Sequence, residues 1–345
     1  MKKHLFSLAV AVMALTACTS EEVTDISQTQ GNAISFENVV NKNSRAVEGD
    51  LDKNSFDMFM VYGYYTKENS STPIQIFNGV PVKKVNGSWV YDGVRYWIPN
   101  CTYYFYAYSC ADIAISADKG SPTLTLTNES TPSGRALSIM NYLCDTRHQH
   151  DLVYAENGPI VSTEKNNPQV SLPFKHALCK IKAVFTTDFP DGYTVKVSDV
   201  KIDEFYNKAN FNARNKSWSG FIEEDGAYIN LNVDPNKNTM TNAANSKVET
   251  SDIFIIPTVY PTDQWVKLHF TIELSKGNEV VLQRSIYGSW SPNWEVGKIY
   301  TYNINITGSS AGIEPIVFAA AQSLDDNSWD SSPEVNMQFG VDTKD

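Results

Sequence analysis

Val266-Lys267-Leu268-His269-Phe270-Thr271-Ile272-Glu273-Leu274 decides how this chain is read. Every even position is apolar and every odd one polar. That period of two is the pattern of a half-buried antiparallel strand. Moving outward, Tyr300, Tyr302, Ile304 and Ile306 repeat it against Thr301, Asn303 and Asn305, and Ile181, Ala183 and Phe185 alternate with Lys180 and Lys182. The runs from Met58 to Tyr65 and from Tyr103 to Tyr108 are apolar or aromatic on both faces, which predicts strands central in a sandwich.

Turn chemistry separates these runs. Val85-Asn86-Gly87-Ser88-Trp89 and Ser275-Lys276-Gly277-Asn278-Glu279 predict hairpin turns, and Asp191-Gly192 and Asp225-Gly226 add two more. Residues 134–144 are the one stretch that reads as a short helix. Aromatics make up 12% of the chain and 18 of them are tyrosine, which fits sheet better than helix. The expected fold class is all-β, built of β-sandwiches.

The first residues read as a targeting segment. Lys2, Lys3 and His4 form a positive region, Leu5 to Leu15 an apolar one, and Leu15-Thr16-Ala17-Cys18 matches a lipobox. A lipobox cysteine is acylated on its thiol and the chain is cut just before it, so Cys18 is the expected lipidation site and outer-membrane lipid an expected partner. No later stretch approaches the roughly 18 apolar residues of a membrane span, so lipid rather than a span would anchor the chain. The acidic Glu21-Glu22 after Cys18 resembles surface-export signals, and residues 19–32 read as a polar tether.

The chain's 345 residues exceed the roughly 250–300 at which single cores stop growing, so two domains are expected. The Pro- and Asn-rich stretch from Ser162 to Gln169 is the expected linker. The divisions are a signal peptide at 1–17, a lipidated tether with a removable strand at 18–45, one sandwich at 46–165, a second at 166–307, and a hinge and tail at 308–345. Thr307-Gly308-Ser309-Ser310-Ala311-Gly312 is the hinge. It leads to a strand-like Ile313 to Ala321, with further strand residues from Val335 to Val341.

A net charge of -11 with no basic stripe argues against nucleic acid as a partner. No nucleophile elbow, zinc-protease motif or phosphate-binding glycine loop is present, and no enzymatic activity is expected. His148-Gln149-His150-Asp151 is the one compact ligand-like cluster, but it lacks a third ligand and reads as a solvated loop. Asp325-Asp326-Asn327 lacks the glycine and glutamate of a calcium loop. No metal or cofactor is expected. Cys101, Cys110, Cys144 and Cys179 match no zinc spacing, and either disulfides or buried thiols would suit them. Trp218, Trp265, Trp290 and Trp294 offer surfaces for stacking on sugar rings, which would make the chain a module that grips a glycan or host protein; core filling is the other use of such residues.

A series of motifs, in order, resembles the fimbrillin-like (Mfa-like) family of type V pilus components. Ile34-Ser35-Phe36-Glu37 and Ser44-Arg45-Ala46 follow the lipobox. Phe59-Met60-Val61-Tyr62-Gly63-Tyr64 comes next, then Trp89-Val90-Tyr91 with Arg95-Tyr96-Trp97, then Tyr104-Phe105-Tyr106-Ala107-Tyr108. Asp151-Leu152-Val153-Tyr154-Ala155 and the run from Val170 to Ile181 complete the set. The resemblance implies two sandwiches of transthyretin-like topology and assembly with other pilin subunits in a cell-surface fimbria. It also implies a surface protease that cuts between Arg45 and Ala46, releasing a strand whose Ile34 and Phe36 plug a groove. Ile316, Phe318 and Ala320 share one face and would form the donor strand that refills the groove of a neighbouring subunit.

Overall fold

The structure is a computed structural model and describes residues 32–39, 56–110, 123–126, 135–164, 167–307, 330–331 and 338–341. Strands account for all its regular elements. In chain order they are β1 (Phe36–Val39), β2 (Met58–Lys67), β3 (Ile74–Val85), β4 (Ser88–Val90), β5 (Cys101–Cys110), β6 (Thr123–Leu126), β7 (Leu137–Leu143) and β8 (Leu152–Val161). There follow β9 (Val170–Pro173), β10 (Lys175–His176), β11 (Cys179–Thr187), β12 (Tyr193–Asp203), β13 (Lys208–Asn212), β14 (Ser217–Ile222), β15 (Tyr228–Asn230) and β16 (Thr239–Met240). The last are β17 (Val248–Glu249), β18 (Ile253–Ile255), β19 (Val266–Lys276), β20 (Glu279–Trp290), β21 (Lys298–Ile306), β22 (Asp330–Ser331) and β23 (Gln338–Val341).

The first large sheet runs β10-β8-β5-β2-β3-β4, so the doubly apolar β2 and β5 are indeed interior strands. Their period of two divides the side chains between two cores. The odd positions Phe59, Val61, Tyr65, Tyr103, Phe105 and Ala107 enter one core. The even positions Tyr64 and Tyr106 enter the other, with Tyr62, Tyr104 and Tyr108 packed against it. Much of the tyrosine excess is therefore one face of this sheet, and on it the Tyr64 hydroxyl accepts from Gln75 Nε2 at 2.9 Å. Tyr154 of β8 continues that face and meets Phe211 of β13 at 5.0 Å between ring centroids.

Phe211 belongs to a four-stranded sheet, β14-β13-β7-β6. Here the helix expected at 134–144 is corrected: Leu137–Leu143 is a strand. It pairs antiparallel with β13 on one side and β6 on the other. Leu137, Ile139 and Tyr142 are buried among the strands around them, so tertiary pairing overrides a weak local helix preference.

The remaining sheets face each other. One runs β17-β11-β21-β22 with β18 also on β11, and the other runs β15-β12-β19-β20-β23 with β16 on β12. Strand β19 alternates buried and half-buried from Val266 to Leu274, as its sequence predicts. Phe185 of β11 and Phe270 of β19 meet edge-on across the interface at 5.0 Å. Asn86 and Gly87 both take positive φ, 51° and 82°, in the two-residue turn between β3 and β4, the conformation for which Asn-Gly is selected. Pairing crosses residue 165 at β1–β9, β10–β8 and β13–β7.

Candidate functional site

Four residues at the start of the described chain occupy a strand-shaped slot. Ile34 and Phe36 are each 2% exposed, whereas Ser35 and Glu37 face solvent. On one side β1 lies parallel to β9, with Phe36 opposite Val170. The Val170 N–H donates to the Ser35 carbonyl at 2.8 Å, and Gln169 Nε2 donates to the Phe36 carbonyl at 2.9 Å. On the other side Ala33 bridges Tyr96, and the Ile34 N–H donates to the Arg95 carbonyl at 2.8 Å. The Tyr91 hydroxyl donates to the Ile34 carbonyl at 2.6 Å. Burial raises the Tyr91 hydroxyl above its ordinary pKa, so it remains a protonated donor.

The floor of the slot is aromatic. The Phe36 ring meets Phe59 at 5.8 Å, Phe77 at 5.4 Å, Tyr91 at 5.8 Å and Phe105 at 5.9 Å, all edge-on. Such contacts add to the roughly 1.5–3 kcal/mol gained by burying each large apolar side chain. Arg95 fixes the wall that holds Ile34. Its Nε donates to the Ile76 carbonyl at 2.6 Å and its Nη1 to the Asp92 carbonyl at 2.9 Å. Its guanidinium lies over Phe77 at 4.7 Å and Tyr91 at 5.7 Å. Sequence reading quoted Tyr91 and Arg95 within a motif but assigned them no role; the signal was their position in the aromatic-rich run from Trp89 to Trp97.

Of the expected site residues, the structure therefore places Ile34 and Phe36 together in one slot. Cys18, Arg45, Ala46, Ile316, Phe318 and Ala320 lie outside the described residues. Arg45 and Ala46 fall in the stretch that joins β1 to β2.

The other chemically suggestive groups hold loops together. Asp145 Oδ1 accepts from the Arg147 N–H at 2.7 Å and the His148 N–H at 3.1 Å, and stands 2.8 Å from His148 Nδ1. Gln149 clasps Phe254, accepting from its N–H at 2.8 Å and donating to its carbonyl at 3.2 Å. His176 Nδ1 is 2.8 Å from Asp151 Oδ2 in the core. Among the described residues no cluster of His, Cys, Asp and Glu is arranged to hold a metal. The four cysteines carry thiols rather than disulfides. Trp218, Trp290 and Trp294 are buried and Trp265 is 56% exposed. No described helix is long and apolar enough to cross a membrane.

The scaffold is all-β, and its first described strand lies beside β9 over an aromatic floor. A family described as fimbrillin-like matches residues 44–319, and the chain belongs to that family. A fimbrillin-like family implies a place in cell-surface fimbriae. No curated protein matches by sequence. Among solved structures, the chain is similar to a candidate cell adhesion protein from Bacteroides ovatus at 14% identity and a TM-score of 0.44, covering 86% of this chain and 96% of that one. It is also similar to a candidate cell adhesion protein from Bacteroides uniformis at 18% identity and a TM-score of 0.42, covering 82% and 95% of the two chains. The fimbrial anchor protein Mfa2 from Porphyromonas gingivalis is similar at 8% identity and a TM-score of 0.32, covering 80% and 90%.

Proposed function

We propose that this chain is a structural or accessory subunit of a cell-surface fimbria, matured by proteolysis and assembled by strand exchange. The observation that carries the reading is the slot around Ile34 and Phe36. A strand is held there on both edges and from below, while the bond between Arg45 and Ala46 lies in the stretch joining it to β2. Cutting that bond leaves β1 attached to the molecule only by noncovalent contacts. Its departure would expose an aromatic groove and the unpaired edge of β9, an arrangement that recruits another strand.

On this reading Cys18 carries the lipid that brings the precursor to the outer membrane. A processing protease cuts after Arg45. The segment carrying Ile316, Phe318 and Ala320 then fills the groove of the next subunit. An interface made by the tail of one copy and the groove of another does not close on itself, so it propagates as a filament. Adhesion would follow from the filament. The test is limited trypsin digestion of the lipid-free chain with intact-mass readout, followed by electron microscopy. The expected product begins at Ala46 and forms ladders or filaments; Arg45-Ala46 left intact while other sites are cut would remove the processing step. Ile316→Asp with Phe318→Asp should abolish polymerisation.

A second reading, a lipoprotein that binds a glycan or host protein without polymerising, draws on the exposed Trp265. Binding on a glycan array that is lost in Trp265→Ala, by a chain that stays monomeric after cleavage, would favour it.

A further inference from the structure

One extra residue in β14 aims a ring. Lys208 and Asn210 of β13 stand opposite Ile222 and Ser219, so two steps on β13 answer three on β14. Gly220 takes a φ of 63° at this bulge, and a Cβ there would stand 2.9 Å from Asn210 Nδ2. In an unbroken strand Trp218 and Phe221, three positions apart, would point to opposite faces. The bulge shifts the alternation by one, so both turn to the same core and Ile222 is left exposed.

Trp218 and Phe221 line an open cleft of about 550 Å³ together with Trp294 and Thr258. Its walls are fixed. The Trp294 N–H donates to the Thr258 carbonyl at 2.9 Å, and the Tyr260 N–H to the Pro292 carbonyl at 3.0 Å. Phe221 lies 5.4 Å from Tyr206, Tyr206 stacks on Tyr260 at 4.9 Å, and Tyr260 meets Trp294 edge-on at 5.9 Å. Both indole N–H groups are engaged away from the cleft, that of Trp218 by the Ala177 carbonyl at 2.9 Å and that of Trp294 by the Tyr302 hydroxyl at 2.8 Å. The rings therefore offer a guest carbon surface and no hydrogen bonds.

Lys216 and Glu295, both exposed, bring one charge of each sign to the same cleft. An apolar guest would leave both charges without a use. An anion would meet Glu295, and a cation would meet Lys216. A pyranose suits all of these groups. Its C–H face lies on ring carbon, Lys216 Nζ donates to its hydroxyls, and its hydroxyls donate to the Glu295 carboxylate. Resting on the glycan-binding reading above, we propose that this cleft is a glycan site separate from Trp265. Phe221 is its stacking ring, and Lys216 and Glu295 are its polar anchors.

The experiment presents the lipid-free full chain to a glycan array and follows the oligosaccharide bound most strongly by saturation-transfer NMR and calorimetry. Saturation is expected to be strongest on the C–H protons of one sugar face. Phe221→Ala should weaken binding about tenfold, and Lys216→Ala and Glu295→Ala about three- to tenfold each. The two charge variants lie on the surface and should leave the urea midpoint unchanged, so they decide the matter if Phe221→Ala also disturbs the fold. Binding that Trp265→Ala abolishes and the three cleft variants leave unchanged would overturn the cleft while the glycan reading stands. A native chain that retains no glycan on the array would overturn both.

Discussion

Gly63 lies so close beneath the Phe77 ring that a Cβ on it would stand 2.9 Å from Cδ2, with Phe105 Cδ1 at 3.1 Å. Both rings form the pocket of Phe36, so this glycine sets how deep the slot is. Gly63→Ala must push ring carbons that are themselves packed. It should destabilise the uncut chain by about 1–3 kcal/mol, the usual cost of overpacking a core. Urea unfolding would measure it, and an unchanged midpoint would show that the rings can yield.

Phe36→Ala removes the ring that all four aromatics meet. The expected loss is about 3–5 kcal/mol. Glu37→Ala, on the exposed side of the same strand, should change stability by less than about 0.5 kcal/mol. The contrast separates plugging of the groove from a general effect of disturbing β1. Equal losses in the two variants would mean that the strand is held by its main chain alone.

Much of the sheet structure was legible because alternation is a local signal. Val266 to Leu274 alternates in space as it does in sequence, and Asn86-Gly87 turns where its backbone preference requires. The candidate strand was legible too, through Ile34 and Phe36. What sequence reading missed is non-local. β1 pairs with β9, and Gln169 reaches Phe36 across 133 positions; no pattern within either segment names its partner. Leu137–Leu143 carries short apolar runs that suit either state, and its two neighbouring strands decide in favour of sheet. Tyr91 and Arg95 acquire their role only because the chain brings them beside Ile34.

Asp151 and His176 form a buried pair linking the start of β8 to β10, with side chains 0% and 8% exposed. Removing one partner leaves the other in the core without its counterpart, which costs far more than the pair contributes. Asp151→Ala is expected to destabilise by about 3–5 kcal/mol. The double variant with His176→Phe should recover part of that loss. A double-mutant cycle in urea measures the coupling, and strictly additive losses would show that the two side chains act independently.

Asp203 supplies a pH-dependent contribution. Burial alone would raise its pKa, but His269 Nε2 at 3.0 Å and Lys201 Nζ at 3.3 Å outweigh burial and hold it below the usual carboxylate value. A carboxyl depressed in the folded state stabilises above its unfolded pKa and loses that contribution as pH falls through its folded one. Asp203→Asn should therefore be less stable than the native chain at neutral pH, by on the order of 1 kcal/mol. The difference should fade as the pH falls through the depressed folded-state pKa of Asp203. A gap that persists at low pH would assign the loss to geometry and not to charge.

The cysteines test whether burial protects thiols from modification. Thiolate is the reactive form, and burial pushes both Cys144 and Cys179 far above their ordinary pKa. Each also donates to a main-chain carbonyl of β18, Cys144 to Phe254 at 3.2 Å and Cys179 to Ile255 at 3.5 Å. Cys110 is half-buried at the end of β5. Titration of the native chain with a thiol reagent should modify Cys110 first. Cys144 and Cys179 should react only as fast as the molecule opens, and all should react at once in denaturant. Early modification of Cys144 under native conditions would mean that the contact between the β7–β8 loop and β18 opens on its own, and Gln149, which clasps Phe254 beside it, would be the residue to examine for that motion.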